Sequence, residues 1–365
     1  MQKIRNIEAL RFIFAIIIVY YHIMHNNLFK LYENFSVLQN FQKASTDGCI
    51  IVELFFVISG FFLYKTFEKH KSNTVFSFAL NKLFRLWFVF AFAILCCFVM
   101  SIFGLTKFNG YAEFLNLLFM QCNGISFSFK GINWYVSSFF WAILFYFVLL
   151  KTCSRNIANF LIALMTYFGY VGLVHIGFGR DVAYNFISLG VLRGLAGIGF
   201  GYLVALLIEN LSNVTMNFKI NRAISFISAS AVEIYCFIFL MQNFVFHKIS
   251  YRNPMLFVFT FAILLILFVY KKGLLSTLLD NKLSEFLGKY SYSIYVMQQV
   301  VFYILQNTLW KNESLVLNHI YICLTISIIF SVITGIIVYH LVEKPCVSFS
   351  KKWLEFNNNS TLVGG

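Results

Sequence analysis

The sequence carries little charge for its length. Asp, Glu, Lys and Arg make up 12% of its 365 residues, and hydrophobic residues make up 60%. A soluble domain of this length needs more charge to cover its surface, so the composition excludes that class and indicates a membrane protein. Proline, which breaks helices, occurs only twice. Since a membrane-spanning helix needs about 20 apolar residues, the chain has room for about ten such helices with short loops.

Acidic residues are also scarce, with 14 Asp and Glu against 28 Lys and Arg, so the net charge is +14. No basic stretch is long or lies outside the apolar runs, and we therefore do not expect nucleic acid as a partner. Basic loops on the cytoplasmic face of a membrane explain the charge better.

The eight cysteines are scattered, and most lie in apolar runs. No CxxC pair or Cys/His cluster is present, which argues against a zinc site and a disulfide framework. We expect these cysteines to act as small buried apolar side chains and not to bind a metal.

The apolar runs predict ten transmembrane helices. They fall at 8–25, 49–67, 78–104, 131–151, 157–178, 186–209, 223–247, 253–272, 286–308 and 315–342. The first run contains Arg11 and lacks a small-residue cleavage site, so we interpret it as a retained helix rather than a signal peptide. With the N-terminus inside, 18 of the 28 Lys and Arg fall in inner connections and 8 in outer ones, which favours this orientation.

The predicted fold is therefore all-α: a polytopic integral membrane protein with both termini in the cytoplasm. Residues 1–350 are predicted to form the transmembrane domain, and 351–365 a flexible cytoplasmic tail. The longest connections, 26–48 and 105–130, lie outside in this topology. Within the second, Tyr111–Met120 is apolar but too short to span, which predicts either a re-entrant or interfacial segment or an amphipathic loop packed on the bundle.

Ionisable residues inside apolar runs are the first functional candidates, because they are costly in hydrocarbon. Arg11 and His22 are eleven residues apart in the first run. On a helix this spacing places both side chains within about 20° of each other and about 16 Å apart along the axis. One stripe would then carry a permanent cation and a tunable acid or base. The alternatives are a packing histidine and an arginine that reaches the interface.

The next two runs contain further candidates. Glu53 is a carboxylate within an apolar run and needs a partner, and Ser59-Gly60 permits close backbone approach or a helix break. Lys82 and Arg85 are three residues apart, so they share a helix face and could hold phosphates. The alternative for this pair is ordinary basic residues at the cytoplasmic face.

Later runs add a second intramembrane arginine and a helix end. Arg193 lies among glycines that extend to Gly201, a pattern that favours a packing groove for a neighbouring helix. Arg193 also needs an acceptor, for which Glu233 is one candidate. Glu343 comes just before Pro345, which marks the end of the last helix.

In this order, these residues resemble acyltransferase family 3, the membrane-embedded O-acyltransferases. The resemblance covers nearly the whole chain. It rests on Glu8–His22, Phe55–Phe61, Lys82–Arg85, Asn133–Tyr135, Arg193–Gly201, Gly288–Tyr295 and Glu343–Pro345.

The resemblance implies transfer of an acyl group, often acetyl, from cytoplasmic acyl-CoA to a carbohydrate hydroxyl on the outer side of the plasma membrane. His22 would be the general base that activates the hydroxyl. Arg11, Lys82 and Arg85 would bind the anionic donor, acetyl-CoA, with Arg11 also part of the catalytic stripe. The supporting residues would be Glu8, Glu53, Ser59, Trp134, Arg193 and Glu343.

Two positions depart from the family pattern. Lys82 stands where the family has the first of two arginines, which weakens the expectation of a bidentate phosphate contact there. Gln298 and Gln299 follow Tyr295 where the family usually has a histidine. Glutamine cannot take a proton, so no second base is assigned to this place.

The alternative function is a secondary transporter or flippase for a lipid-linked sugar or a small anion, since intramembrane Arg, Glu and His also suit substrate pathways. The two halves of the chain show no convincing repeat, which argues against it. The acceptor, the acyl chain and the oligomeric state are not identified by the sequence.

Overall fold

The computed structural model is almost entirely helical in the residues it describes. These are 4–24, 50–69, 74–121, 133–179, 182–183, 187–213, 222–246, 254–350 and 352–353. The predicted outer connection at 26–48 lies outside the described residues, as does the predicted tail except for Lys352 and Trp353.

Fourteen α-helices are described. They are α1 Arg5–His22, α2 Ile51–Lys69, α3 Val75–Ile102, α4 Gly110–Leu117, α5 Trp134–Thr152, α6 Arg155–Ile176, α7 Leu189–Asn213, α8 Arg222–Phe246, α9 Pro254–Tyr270, α10 Leu274–Leu278, α11 Lys282–Gly288, α12 Ser291–Asn307, α13 Glu313–Asn318 and α14 Ile320–Val338. A 3₁₀ turn covers Leu309–Lys311, and a π-helical segment covers Tyr339–Glu343. Two short antiparallel strands, β1 Val182–Ala183 and β2 Ile187–Ser188, precede α7.

Each of the ten predicted apolar runs overlaps at least one of these helices. Six helices are long and apolar enough to cross a membrane by length and composition: α3, α5, α6, α7, α8 and α14 with its extension to Ser350. Helices α1 and α2 carry more charge, and α9 and α12 are 17 residues long. The helices indicate a multi-pass membrane protein, and ten spans with both termini inside stay a prediction.

Polar side chains fix several helix starts. Thr74 accepts a hydrogen bond from the backbone of Ser77 at 3.1 Å at the start of α3. Asn281 does the same for Ser284 at 2.9 Å at the start of α11. These caps satisfy backbone donors that a helix leaves unpaired at its first turn.

The chain divides into two compact units. The first comprises Met1–Thr66, Asn156–Gly179 and Leu192–Ser291, and the second comprises Phe67–Arg155, Arg180–Val191 and Tyr292–Gly365. The core of the first includes Phe14, whose ring centroid lies 5.6 Å from that of Phe261. In the second, Phe78 stacks on Phe147 at 3.7 Å.

Within the first unit, glycines allow α2 and α7 to approach closely. A Cβ at Gly60 would overlap the Ile198 carbonyl, and one at Gly201 would overlap the Val57 carbonyl. A Cβ at Gly197 would lie 2.6 Å from the Cβ of Phe56. The predicted glycine groove is thus confirmed, and Ser59-Gly60 marks a close approach rather than a break, because α2 is continuous.

The short apolar segment after α3 forms α4, which belongs to the second unit. Its exposed face is apolar, with Tyr111 and Phe114 71% and 58% exposed, whereas Glu113 and Asn116 are buried. This arrangement is the reverse of a soluble surface helix and is typical of a segment at a membrane interface.

Candidate functional site

Helix α1 carries a buried ion pair on its first turns. Arg11 donates from Nη1 to both carboxylate oxygens of Glu8, at 3.1 and 3.0 Å. Glu8 is 7% exposed, so the pair neutralises a carboxylate that is largely removed from solvent. Gly288 lies against this pair, since a Cβ there would be 2.5 Å from the Cβ of Glu8. The family-like residues at the start of α1 and at Gly288 therefore meet in one place.

The start of α1 is held by neighbouring segments of the same unit. The buried Asn6 donates from its amide to the backbone carbonyls of Phe268 and Ser276, at 2.7 and 3.1 Å. Arg5 pairs with Glu285 on α11 at 3.2 Å. These contacts fix the rotation of α1, and with it the direction in which Arg11 points.

His22 is the last residue of α1. It is 8% exposed, and its ring lies 5.0 Å from the ring of Tyr21 in an edge-on arrangement. Because α1 is unbroken from Arg5 to His22, the eleven-residue spacing to Arg11 has the helical geometry that the sequence predicts. The role of His22 as a base stays a prediction.

A second ion pair joins α2 to α7. Arg193 donates from Nε to Oε1 of Glu53, and the two side chains are 1% and 0% exposed. Arg193 also donates to the carbonyls of Phe178 and Gly179, both at 3.2 Å, just beyond the end of α6. The partner of Arg193 is thus Glu53 rather than the suggested Glu233.

Glu233 has a different environment within the first unit. Its Oε2 accepts from the backbone N–H of Ser276 at 3.1 Å, and the carboxylate lies where a Cβ on Gly273 would stand. A side chain at position 273 would displace the Glu233 carboxylate. This carboxylate therefore holds the short helix α10 in place.

The two basic residues on α3 have unlike surroundings in the second unit. Lys82 Nζ lies 5.3 Å from the ring centroid of Phe78 and 5.9 Å from that of Phe139. Arg85 is exposed and forms no ion pair with any residue that the structure describes. A guanidinium without a counter-ion is the better phosphate ligand of the two.

The remaining supporting candidates have structural contacts. Ser293 donates to Oε2 of Glu343 at 2.6 Å, which ties α12 to the π-helical segment. The hydroxyl of Ser59 donates to the Phe55 carbonyl of its own helix at 2.6 Å. Trp134 is buried at the start of α5. Ser59 is thus bonded to the backbone of its own helix rather than to a base.

Sequence reasoning missed a buried carboxylate on α4. Glu113 is 7% exposed and accepts a hydrogen bond from Asn116 at 2.9 Å. Burial raises the pKa of Glu113 to about 7, although the hydrogen bond acts in the opposite direction. The available signal was an acidic residue inside a short apolar segment.

The first unit also contains a cavity of about 450 Å³ lined by α6, α7 and α9. Its wall is almost wholly apolar and includes Tyr167, Tyr170, Phe200 and Phe259, together with His175. None of the predicted site residues lines it.

Comparison with known proteins matches the chain to a protein family. Comparison with curated proteins and with solved structures yields no match. A family model described as an acyltransferase domain matches residues 4–340, which include Arg11, His22, Glu53, Arg85 and Arg193. This match covers nearly the whole chain and confirms the resemblance seen in the sequence: the protein belongs to acyltransferase family 3.

Proposed function

We propose that this protein is a membrane O-acyltransferase. It transfers an acyl group, which we take to be acetyl, from cytoplasmic acyl-CoA to a hydroxyl of a cell-surface or lipid-linked carbohydrate at the outer side of the plasma membrane. Family membership supports the reaction class, and the apolar helices support the membrane setting. The donor, the acceptor and the orientation belong to the proposal.

The observation that carries the proposal is the composition of α1. One unbroken helix bears the Glu8–Arg11 pair near its start and the buried His22 at its end. A histidine is the side chain best suited to move a proton near neutral pH. Since the chain belongs to this family, we propose that His22 accepts the proton of the acceptor hydroxyl.

The proposed step is a direct acyl transfer. The acceptor oxygen attacks the thioester carbonyl carbon while His22 removes the hydroxyl proton. The tetrahedral intermediate then collapses, the carbon–sulfur bond breaks, and His22 returns the proton to the departing thiolate. A new ester and free CoA result, with no net change in protons.

Donor binding is assigned to the cations. Arg85, which is exposed and has no counter-ion among the described residues, is proposed to bind the CoA phosphates, and Lys82 to add a weaker attraction. The Arg11 guanidinium is engaged by Glu8 through one terminal nitrogen, so its other N–H groups are proposed to contact the donor.

The test uses inside-out vesicles from cells that make the protein, supplied with radiolabelled acetyl-CoA. We expect label in the glycan or glycolipid fraction. The His22→Ala variant should lower the rate of labelling by about 10²- to 10⁴-fold. Binding of CoA to purified His22→Ala should be nearly normal, since the removed imidazole strands no charge.

Two controls sharpen the test. His175→Ala removes an exposed histidine at the end of α6 and should not change the transfer of label. Exchanging residues 21 and 22, by Tyr21→His with His22→Tyr, keeps the composition but turns the imidazole by about 100° and should not restore activity. Near-normal transfer by His22→Ala would refute the assigned base. Movement of sugar without acylation would favour a transporter instead.

A further inference from the structure

Gln298 on α12 is a carboxamide buried without a hydrogen-bond partner. Its exposure is 0%, and neither Oε1 nor Nε2 has a partner among the residues that the structure describes. A buried amide left unpaired destabilises the fold, so such a group calls for an explanation. Gln298 is one of the two glutamines that follow Tyr295, and the proposed reaction does not use it.

A second carboxamide of the same kind opens α5, in the same unit. Asn133 is 0% exposed, does not cap α5 with its side chain, and has neither Nδ2 nor Oδ1 paired within the described ranges. Helices α5 and α12 meet where the rings of Tyr135 and Tyr295 lie 5.7 Å apart. Asn133 and Gln298 are two and three residues from this contact, so each lies within one helical turn of it.

The same contact continues toward Arg85. Tyr292 lies one turn before Tyr295 on α12, and its hydroxyl donates to the carbonyl of Leu86 at 2.6 Å. Leu86 is the neighbour of Arg85 on α3, so this hydrogen bond places the start of α12 beside the part of α3 that carries Arg85. Tyr135 and Tyr292 are only half-buried. A ligand held at Arg85 would thus extend past these rings toward the two carboxamides.

From this geometry we infer that Gln298 and Asn133 form a subsite for the amide-bearing arm of the acyl-CoA donor. The inference rests on the proposed function. A carboxamide offers one donor group and one acceptor, which matches a secondary amide of the ligand. Coenzyme A carries two such amides between its diphosphate and its thiol. Neither side chain is charged, so the subsite does not suit phosphate. We propose that Arg85 binds the phosphate instead.

The test compares CoA with its nucleotide half, adenosine 3′-phosphate 5′-diphosphate, which lacks the arm. Binding of both to the purified protein is measured by calorimetry. Gln298→Met should weaken CoA binding roughly three- to tenfold and leave binding of the nucleotide unchanged. Arg85→Ala should weaken both ligands. The thermal midpoint of Gln298→Met should be equal to or above that of the wild type, because an unpaired buried amide is replaced by an apolar side chain of similar length.

Asn133→Leu provides a second variant with the same expectation. Asn243→Leu is the matched control, because Asn243 is a carboxamide only 2% exposed on α8 of the other unit, and it should not alter CoA binding. Gln298→His restores hydrogen bonding and should recover part of the lost affinity.

Several results would overturn the inference. Unchanged CoA binding in both Gln298→Met and Asn133→Leu would do so, as would equal losses for CoA and the nucleotide. Normal CoA binding with a raised KM for the acceptor would assign the carboxamides to the other substrate. If the wild-type protein binds no CoA, the proposed function itself fails, and the two failures are thereby distinguished.

Discussion

The candidate site residues of the two units differ in how they are paired. In the first, buried charges are matched by partners, as in Glu8–Arg11 and Glu53–Arg193. In the second, Arg85 lacks a counter-ion and Gln298 lacks hydrogen-bond partners within the described residues. An isolated charge or amide is costly away from water, so pairing serves the fold. A group left unpaired is better explained by a ligand that supplies its partner.

This contrast separates residues that otherwise look alike in the sequence. Arg11, Arg85 and Arg193 are all arginines in or beside apolar runs. The structure gives Arg193 a carboxylate and two carbonyls, gives Arg11 a carboxylate, and leaves Arg85 exposed. Substitutions at the three positions should therefore change stability and donor binding in different proportions.

The largest expected effect would break the Glu53–Arg193 pair. Arg193→Met strands the Glu53 carboxylate, which is 0% exposed, and should lower the free energy of unfolding by about 3–5 kcal/mol. The double variant Glu53→Leu with Arg193→Met should recover most of this loss, because no charge is then left unpaired. Thermal unfolding of the purified protein measures both.

Arg222→Met is the control, because Arg222 is exposed at the start of α8 and should contribute little. A double variant no more stable than Arg193→Met alone would show that the pair is needed for more than charge balance.

A smaller effect is expected at Glu8–Arg11, because the side chain of Arg11 is 21% exposed and water can replace part of the contact. Arg11→Met should lower the free energy of unfolding by about 1–3 kcal/mol, and adding Glu8→Gln should restore it. CoA binding separates structure from function here. If Arg11 contacts the donor, CoA affinity stays low in the stabilised double variant. Recovery of CoA affinity together with stability would make Arg11 purely structural.

Local patterns predicted much of this architecture. The ten apolar runs locate ten helices, and the glycines near Arg193 predict the close approach of α2 and α7. The Glu8–Arg11 contact was not predicted, although its spacing of three residues is one that a helix brings together.

Partners distant in sequence could not be derived in this way. Glu53 and Glu233 were both available to Arg193, and only the packing of α2 on α7 selects Glu53. The burial of Glu113 depends on which face of α4 turns inward, which eight residues do not specify. The burial of Gln298 without a hydrogen-bond partner among the described residues depends on the packing around it, and a sequence cannot show that.

The smallest expected effect compares the two cations on α3. Arg85→Ala should weaken CoA binding about tenfold, because an unpaired guanidinium grips phosphate through two hydrogen bonds. Lys82→Ala should weaken it only about twofold, since the ammonium lies on the rings of Phe78 and Phe139 and has a single point charge to offer.

Raising the salt concentration should reduce wild-type affinity more than that of Arg85→Ala, because screening acts on the charge that this variant has lost. Lys82→Arg is the matched control: it restores the family's residue and should bind CoA at least as tightly as the wild type. Equal and negligible effects of both alanine variants would make the pair ordinary cytoplasmic-face residues, and the unpaired state of Arg85 would then have no bearing on the donor.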